Sequence, residues 1–271
     1  MNIINKLSIA LLFTFFTLAA SYTSQAGDHV DELTYHHFKQ QIVSSYQGSV
    51  PQQWGETVTG VKTRLATHDK VIALTFDACG SQHGMRLDTK ITDFLVQQKI
   101  PATLFINARW IEPNMAAFQR LSANPLFEIG NHGYQHRPAS INGRSVYGIS
   151  GTSSVAELVD EIELNARKIE ALTGKRPLFY RSGTAYYDEV AVQITQELGS
   201  EVAGFSVLGD AGATYSRQQV KQTLLSATAG DIVILHMNHP ESGTAEGLID
   251  AIPELQRRGF HFVQLSEIPL L

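Results

Sequence analysis

From residue 71 onward the chain alternates between two patterns, and no other feature restricts its fold so tightly. Short runs of apolar, β-branched and aromatic residues stand at 71–76 (VIALTF), 102–106 (ATLFI), 126–129 (LFEI), 178–180 (LFY), 202–207 (VAGFSV), 231–235 (DIVIL) and 261–265 (HFVQL). Helical periodicity fills the intervals, at about 88–99, 113–122, 154–173, 187–198, 216–227 and 245–258. The clearest helix runs from Ser154 to Thr173. There Val155, Leu158, Val159, Ile162, Ala166, Ile169 and Leu172 share a face, and Gly174 and Pro177 are stop signals. Strands separated by helices pair in parallel through right-handed crossovers. Closed or nearly closed, such a sheet is an α/β fold, a (β/α) barrel with about seven parallel strands.

The first 26 residues stand apart. Lys6 supplies a positive charge, Leu7 to Ala20 is apolar, and Ser24-Gln25-Ala26 offers the small residues that a signal peptidase needs. This predicts a signal peptide over 1–26 and a destination in the periplasm or outside the cell. The apolar stretch is short for a bilayer span, so the mature chain is not expected to cross a membrane. Residues 27–68 are polar, carry Tyr35-His36-His37-Phe38 and show no clear period; they are read as an N-terminal arm packed on the domain formed by 69–271. A formal net charge of −5 offers no basic face to nucleic acid. A single cysteine in an exported chain makes no internal disulfide, so stability must come from a core, for which 43% hydrophobic residues suffice. Nothing in the sequence specifies an oligomeric state.

In barrels of this kind the working residues sit in loops at the C-terminal ends of the strands. Asp77 follows the first run, His132 and His136 the third, Arg181 the fourth, Asp210 the fifth and His236 the sixth, and all are expected at one mouth. In EIGNHGYQHRP (128–138), His132 and His136 are four apart. On one helical turn that spacing puts their Cβ atoms about 5–6 Å apart, within reach of one ion. Gly130 and Gly133 let the backbone turn out of the strand, and no Glu follows His132 as a zinc protease would need. His236 caps an apolar run and is either paired within the core or, the favoured reading, faces the cleft as a candidate general acid; His239 is either a supporting group or a loop residue. Arg181 is either a cation that holds a nearby carboxylate ionised or an ordinary loop ion pair. Its small neighbours Ser182 and Gly183 leave backbone N–H groups open to an oxyanion. No G-x-S-x-G, G-x-G-x-x-G or P-loop pattern is present, and Cys79 reads as a small buried residue rather than a nucleophile.

These motifs together resemble the polysaccharide deacetylases, the NodB-homology group of carbohydrate esterase family 4, over about residues 69–268. TFDACG (75–80) is similar to T-F-D-D-G-P, HGYQH (132–136) to H-[ST]-x-x-H, and RSGTAYY (181–187) to R-x-P-[YF]. VLGDAG around Asp210 and ILH (234–236) resemble the last two motifs, and GFHFVQLSEI is typical of how such domains end. The resemblance implies a distorted (β/α) barrel and removal of acetyl groups, mostly N-linked, from an acetylated glycan, with one divalent metal ion, commonly Zn²⁺. It implies Asp77 as base, Arg181 as its orienter, His132 and His136 as metal ligands, His236 as acid and Asp210 as the group that holds His236 in its useful tautomer.

The chain also departs from that pattern. Ala78 stands where the family has its metal-binding Asp, which leaves the ion one ligand short. Either Asp77 coordinates the ion, or His83, Asp88 or Cys79 substitutes, or the ion is lost and the protein is a non-catalytic glycan-binding or envelope-assembly protein. Gly183 replaces the family's Pro, and Met237 replaces the Asp that often follows the last His.

Overall fold

The computed structural model describes residues 33–81 and 84–271, so the reading of 1–26 as a signal peptide and the candidate ligand His83 lie outside the described residues. The chain divides into two units, one ending at Gly48 and the other Ser49–Leu271. In the first, residues 33–45 form helix α1, although the sequence there shows no clear period. Tyr35, Phe38 and Ile42 make a stripe at i, i+3 and i+7 too sparse to stand out among its polar neighbours.

The second unit is built on parallel strands. In chain order its elements are β1 (Val71–Ala78), α2 (Thr89–Gln97), β2 (Ala102–Ile106), α3 (Ala108–Ile111), α4 (Met115–Ser122), β3 (Phe127–Asn131), the hairpin β4 (Ser145–Val146) and β5 (Ile149–Ser150), α5 (Val155–Thr173), β6 (Phe179–Tyr180), α6 (Glu189–Glu197), β7 (Glu201–Val202), β8 (Val207–Leu208), α7 (Arg217–Leu225), β9 (Asp231–His236), α8 (Thr244–Arg257) and β10 (His261–Val263). The sheet order is β7-β6-β3-β2-β1-β9-β8, with β10 paired to β1. Its ladders are parallel, and it curls as a distorted (β/α) barrel. Among the described residues no helix is long and apolar enough to cross a membrane.

Strand period decides what each β1 side chain meets. Ile72, Leu74, Phe76 and Ala78 point to the helix layer and join one apolar cluster with Ile91, Leu95, Leu104, Val220 and Leu248. Each fully buried large aliphatic or aromatic side chain there contributes roughly 1.5–3 kcal/mol. Ala73, Thr75 and Asp77 point the other way. Ala73 joins Leu65, Phe105, Phe179, Ile232 and Leu265 in the barrel interior.

The run at 202–207 is not one strand. It splits into β7 and β8, which lie at opposite ends of the sheet order. The N-terminal segment enters at the break: Lys62 N–H donates to Val202 O (2.9 Å), and Gly204 N–H donates to Lys62 O (2.7 Å). A Cβ at Gly204 would sit 2.8 Å from Val61 Cγ1, so a larger residue there would crowd the Val61 side chain. On the other side Leu65 N–H donates to Gly230 O (2.8 Å), and Arg64 pairs with Asp231. Residues 62–65 thus bridge an opening that the short strands leave. Helix α5 matches the sequence reading closely: Ser154 caps its first turn and Gly174 ends it at φ +72°.

Candidate active site

The C-terminal ends of β1, β3, β6 and β9 bring the predicted residues together. Asp77 and His236 are register partners on adjacent parallel strands, so their side chains leave the sheet on one face from backbones roughly 4.7–4.9 Å apart. Arg181 follows β6 and is fully buried. Its Nη1 donates to Asp77 Oδ1 (2.9 Å) and Thr75 Oγ1 (2.9 Å), its Nε to Ala203 O (3.0 Å) and its Nη2 to Gly204 O (2.8 Å). The guanidinium lies 4.2 Å from the centre of the Phe105 ring. A planar fork with several donors suits this socket, and one ammonium cannot fill it.

His132 Nδ1 lies 2.9 Å from Arg181 O. A carbonyl only accepts, so Nδ1 carries the proton and a neutral His132 offers the Nε2 lone pair. That Nε2 lies 3.7 Å from Cys79 Sγ and 3.6 Å from Asp77 Oδ2. His136 completes the group, its ring centre 4.9 Å from that of His132 and the planes at 85°. Among the described residues, Cys79, His132 and His136 form a group whose donor atoms all lie within 4.8 Å of one another. Asp77 borders this group rather than belonging to it, with one oxygen committed to Arg181. The Nε2 of His136 is closed to solvent and has no hydrogen-bond partner among the described residues. A buried nitrogen left in that state is costly in a protein that gains nothing from it, and a lone pair with no protein donor is what a metal ligand needs. The donor set therefore fits a divalent cation.

The two histidines do not sit on a helical turn, as their spacing suggested. They flank a loop after β3 in which Gly133 (φ +78°) and His136 (φ +62°) take left-handed backbone. Gly130 does not help the turn either; it lies in β3, where a Cβ would sit 2.7 Å from the Phe105 ring. The turn is held from below. Glu161 of α5 accepts from Gln135 N–H (2.8 Å) and Arg137 N–H (3.1 Å), and burial pushes its carboxyl up to about 7. Asn107 Nδ2 donates to the carbonyls of His132 (2.9 Å) and Gly133 (2.7 Å), and Asn131 Oδ1 accepts from Gly133 N–H (2.9 Å). The sequence reading named none of these supports. A signal for one was present, since Glu161 lies three residues after Leu158 inside the apolar stripe of α5 and is buried.

His236 Nδ1 lies 2.8 Å from Asp210 Oδ1, and Asp210 Oδ2 accepts from His236 N–H (2.7 Å) and Thr244 Oγ1 (3.0 Å). Burial opposes charge on both groups, but each outweighs it for the other: His236 is held well above the usual imidazole range and Asp210 below the usual carboxylate range. Burial would likewise raise the Cys79 thiol, yet the imidazoles of His136, His132 and His236 beside it outweigh that and hold it well below its ordinary value. For His132, burial is overcome by the Asp77 charge and by Cys79, and the net direction is upward.

Other sequence candidates fall elsewhere. Asp88 is the N-cap of α2, its Oδ1 accepting from Lys90 N–H (3.1 Å). His239 pairs with Glu241 at 3.2 Å in an exposed loop. The backbone N–H groups of Ser182 and Gly183, proposed for an oxyanion, already donate to Tyr187 Oη (3.1 Å) and Arg137 O (3.3 Å). Gly183 has a steric reason: a Cβ there would collide with the backbone of His136, so the left-handed turn at His136 and the glycine at 183 go together.

Residues 64–203 match the family described as polysaccharide deacetylase. The peptidoglycan-N-acetylglucosamine deacetylase of Bacillus cereus is 27% identical over 215 residues, which cover 78% of this chain and 93% of the relative. The peptidoglycan-N-acetylmuramic acid deacetylase PdaA of Bacillus subtilis is 24% identical over 210 residues, 74% of this chain and 72% of the relative. Among solved structures, a CE4 family pseudoenzyme from Bacillus anthracis shares the fold with a TM-score of 0.64 at 22% identity, over 76% of this chain and 67% of its own.

Proposed function

Because the chain belongs to the polysaccharide deacetylase family, we propose that it is an exported, metal-dependent deacetylase that hydrolyses acetyl groups, N-linked ones foremost, on a peptidoglycan-type or other acetylated polysaccharide. The observation that carries this reading is the meeting, in one cup at the strand ends, of an Arg-held carboxylate, an Asp-held imidazole and a cluster of metal donors. The curated relatives named for peptidoglycan deacetylation support the substrate class, and the signal-like residues 1–26 support export.

When bound, a divalent ion such as Zn²⁺ polarises the acetyl carbonyl and acidifies a water. His132 and His136 would hold it, with a third donor from the same cup. Asp77 takes the water's proton at Oδ2, the oxygen that Arg181 leaves open; we assign it as base rather than ligand because a metal-bound carboxylate is less basic. His236 gives a proton from Nε2 to the departing nitrogen, while Asp210 keeps Nδ1 protonated and the ring turned to the cup. The alternative, a glycan-binding protein that has lost the ion, rests on Ala78; a cluster of three donors weighs against it.

The test is release of acetate from peptidoglycan and chitin-type oligomers. Release should stop with a chelator and return with Zn²⁺, and His132→Ala or His136→Ala should each remove ion and activity. Ion bound with no acetate from any acetylated polymer defeats the reading, and glycan binding indifferent to chelator favours the alternative.

A pH effect follows from the His236–Asp210 pair. A general acid works while protonated, so activity should fall as pH rises through the raised value of His236. Asp210→Asn removes the charge that lifts it, and the alkaline limb of kcat should then move to lower pH with metal content unchanged. An alkaline limb that stays in place in Asp210→Asn counts against His236 as the acid.

A further inference from the structure

We infer that Cys79 is the third protein ligand of the ion, so that the site is Cys-His-His, selects a thiophilic metal such as Zn²⁺, and leaves Asp77 free. This rests on the reading of the cup as a metal site and specifies its ligands. The tripeptide Ala78-Cys79-Gly80 then has a physical reason at each position. β1 stays extended through Ala78, whose side chain points into the apolar cluster under the helices. Cys79, one residue on, is turned toward the histidines at the strand end. Gly80 completes the turn at φ +64° against the start of α3, where a Cβ would sit 2.6 Å from Trp110 N.

The separation of the Cys79 and His132 donors suits zinc. Bonds of about 2.3 Å to sulfur and about 2.0–2.1 Å to nitrogen at a tetrahedral angle put the two donors roughly 3.6 Å apart. Cys79 Sγ and His132 Nε2 are 3.7 Å apart. Arg181 O fixes the His132 tautomer that leaves Nε2 free, the kind of outer contact that orients metal-bound histidines. The buried Nε2 of His136, without a hydrogen-bond partner among the described residues, supplies the other nitrogen. With three protein donors the fourth tetrahedral position stays open to water or substrate. Thiolate in place of carboxylate moves the preference from Mg²⁺ and Mn²⁺ toward Zn²⁺.

The experiment uses the full mature protein, stripped with chelator and reloaded with Co²⁺ as a spectroscopic stand-in for Zn²⁺. The expected result is about one Co²⁺ bound with a near-ultraviolet thiolate-to-cobalt charge-transfer band. The band should vanish in Cys79→Ser and Cys79→Ala, with Zn²⁺ affinity falling by more than the roughly 10–100-fold that loss of an outer contact costs. Cys79→Asp should keep an ion without the band, and circular dichroism of the metal-free variants shows whether each is folded. Cobalt bound without the band, or a band unchanged in folded Cys79→Ser, overturns the ligand assignment whatever the acetate assay gives. A band in a protein that releases no acetate supports the assignment and counts only against the deacetylase reading.

Discussion

Replacing Asp77 by Asn is expected to lower acetate release by roughly 10²–10⁴-fold, the range for loss of a general acid or base, while the protein keeps its ion and its fold. Asn has the same shape, and its carbonyl can still accept from Arg181 Nη1, which now lies 2.9 Å from Asp77 Oδ1. What it lacks is an oxygen able to take a proton. Metal analysis of the purified variant separates two roles that the sequence left joined. About one equivalent of ion with activity lost supports Asp77 as base; loss of the ion together with activity makes Asp77 a ligand, as the short ligand set first suggested.

Removal of Arg181 should damage stability rather than chemistry alone. The guanidinium is fully buried and serves Asp77, Thr75 and the carbonyls of Ala203 and Gly204. Arg181→Ala would strand a buried carboxylate and two carbonyls, and breaking a buried pair from one side costs about 3–5 kcal/mol. Arg181→Lys should also be destabilising, because an ammonium cannot reach partners spread around a planar fork. Urea unfolding reads both. In the Asp77→Asn background, Arg181→Ala should cost less, since no charge is left unpaired, and the difference measures their coupling. A loss below about 1 kcal/mol for Arg181→Ala with an unchanged m-value would mean that water reaches the socket and that this account of the pair is wrong.

The legible part of the site is the part carried by strand ends. Asp77, Arg181 and His236 each follow an apolar run, and a parallel sheet collects such positions at one edge. The illegible part depends on turns and on packing between distant segments. HGYQH marks Gly133 as a turning point, but nothing in it reveals that His136 also takes left-handed backbone, because that turn is held by Glu161 and Asn107, from elements well separated in the chain. The run at 202–207 reads as one strand because its residues are apolar and β-branched, and only the passage of Val61 to Thr63 against Gly204 explains why it breaks. Asp88 was one of the nearby side chains that could replace the missing ligand, yet its side chain caps α2.

By itself, the sequence determined most of the alternation of strands and helices from residue 71 onward and the residues stationed at the strand ends. Those are local matters, settled by side-chain size and polarity at regular intervals. Only the tertiary structure decided that Cys79 and not Ala78 stands beside His132 and His136, and that Arg181 occupies one oxygen of Asp77 while leaving the other open. Those facts depend on distances of 3–4 Å between residues dozens of positions apart. Such distances are set by how loops pack on one another, a quantity that no periodicity along the chain encodes.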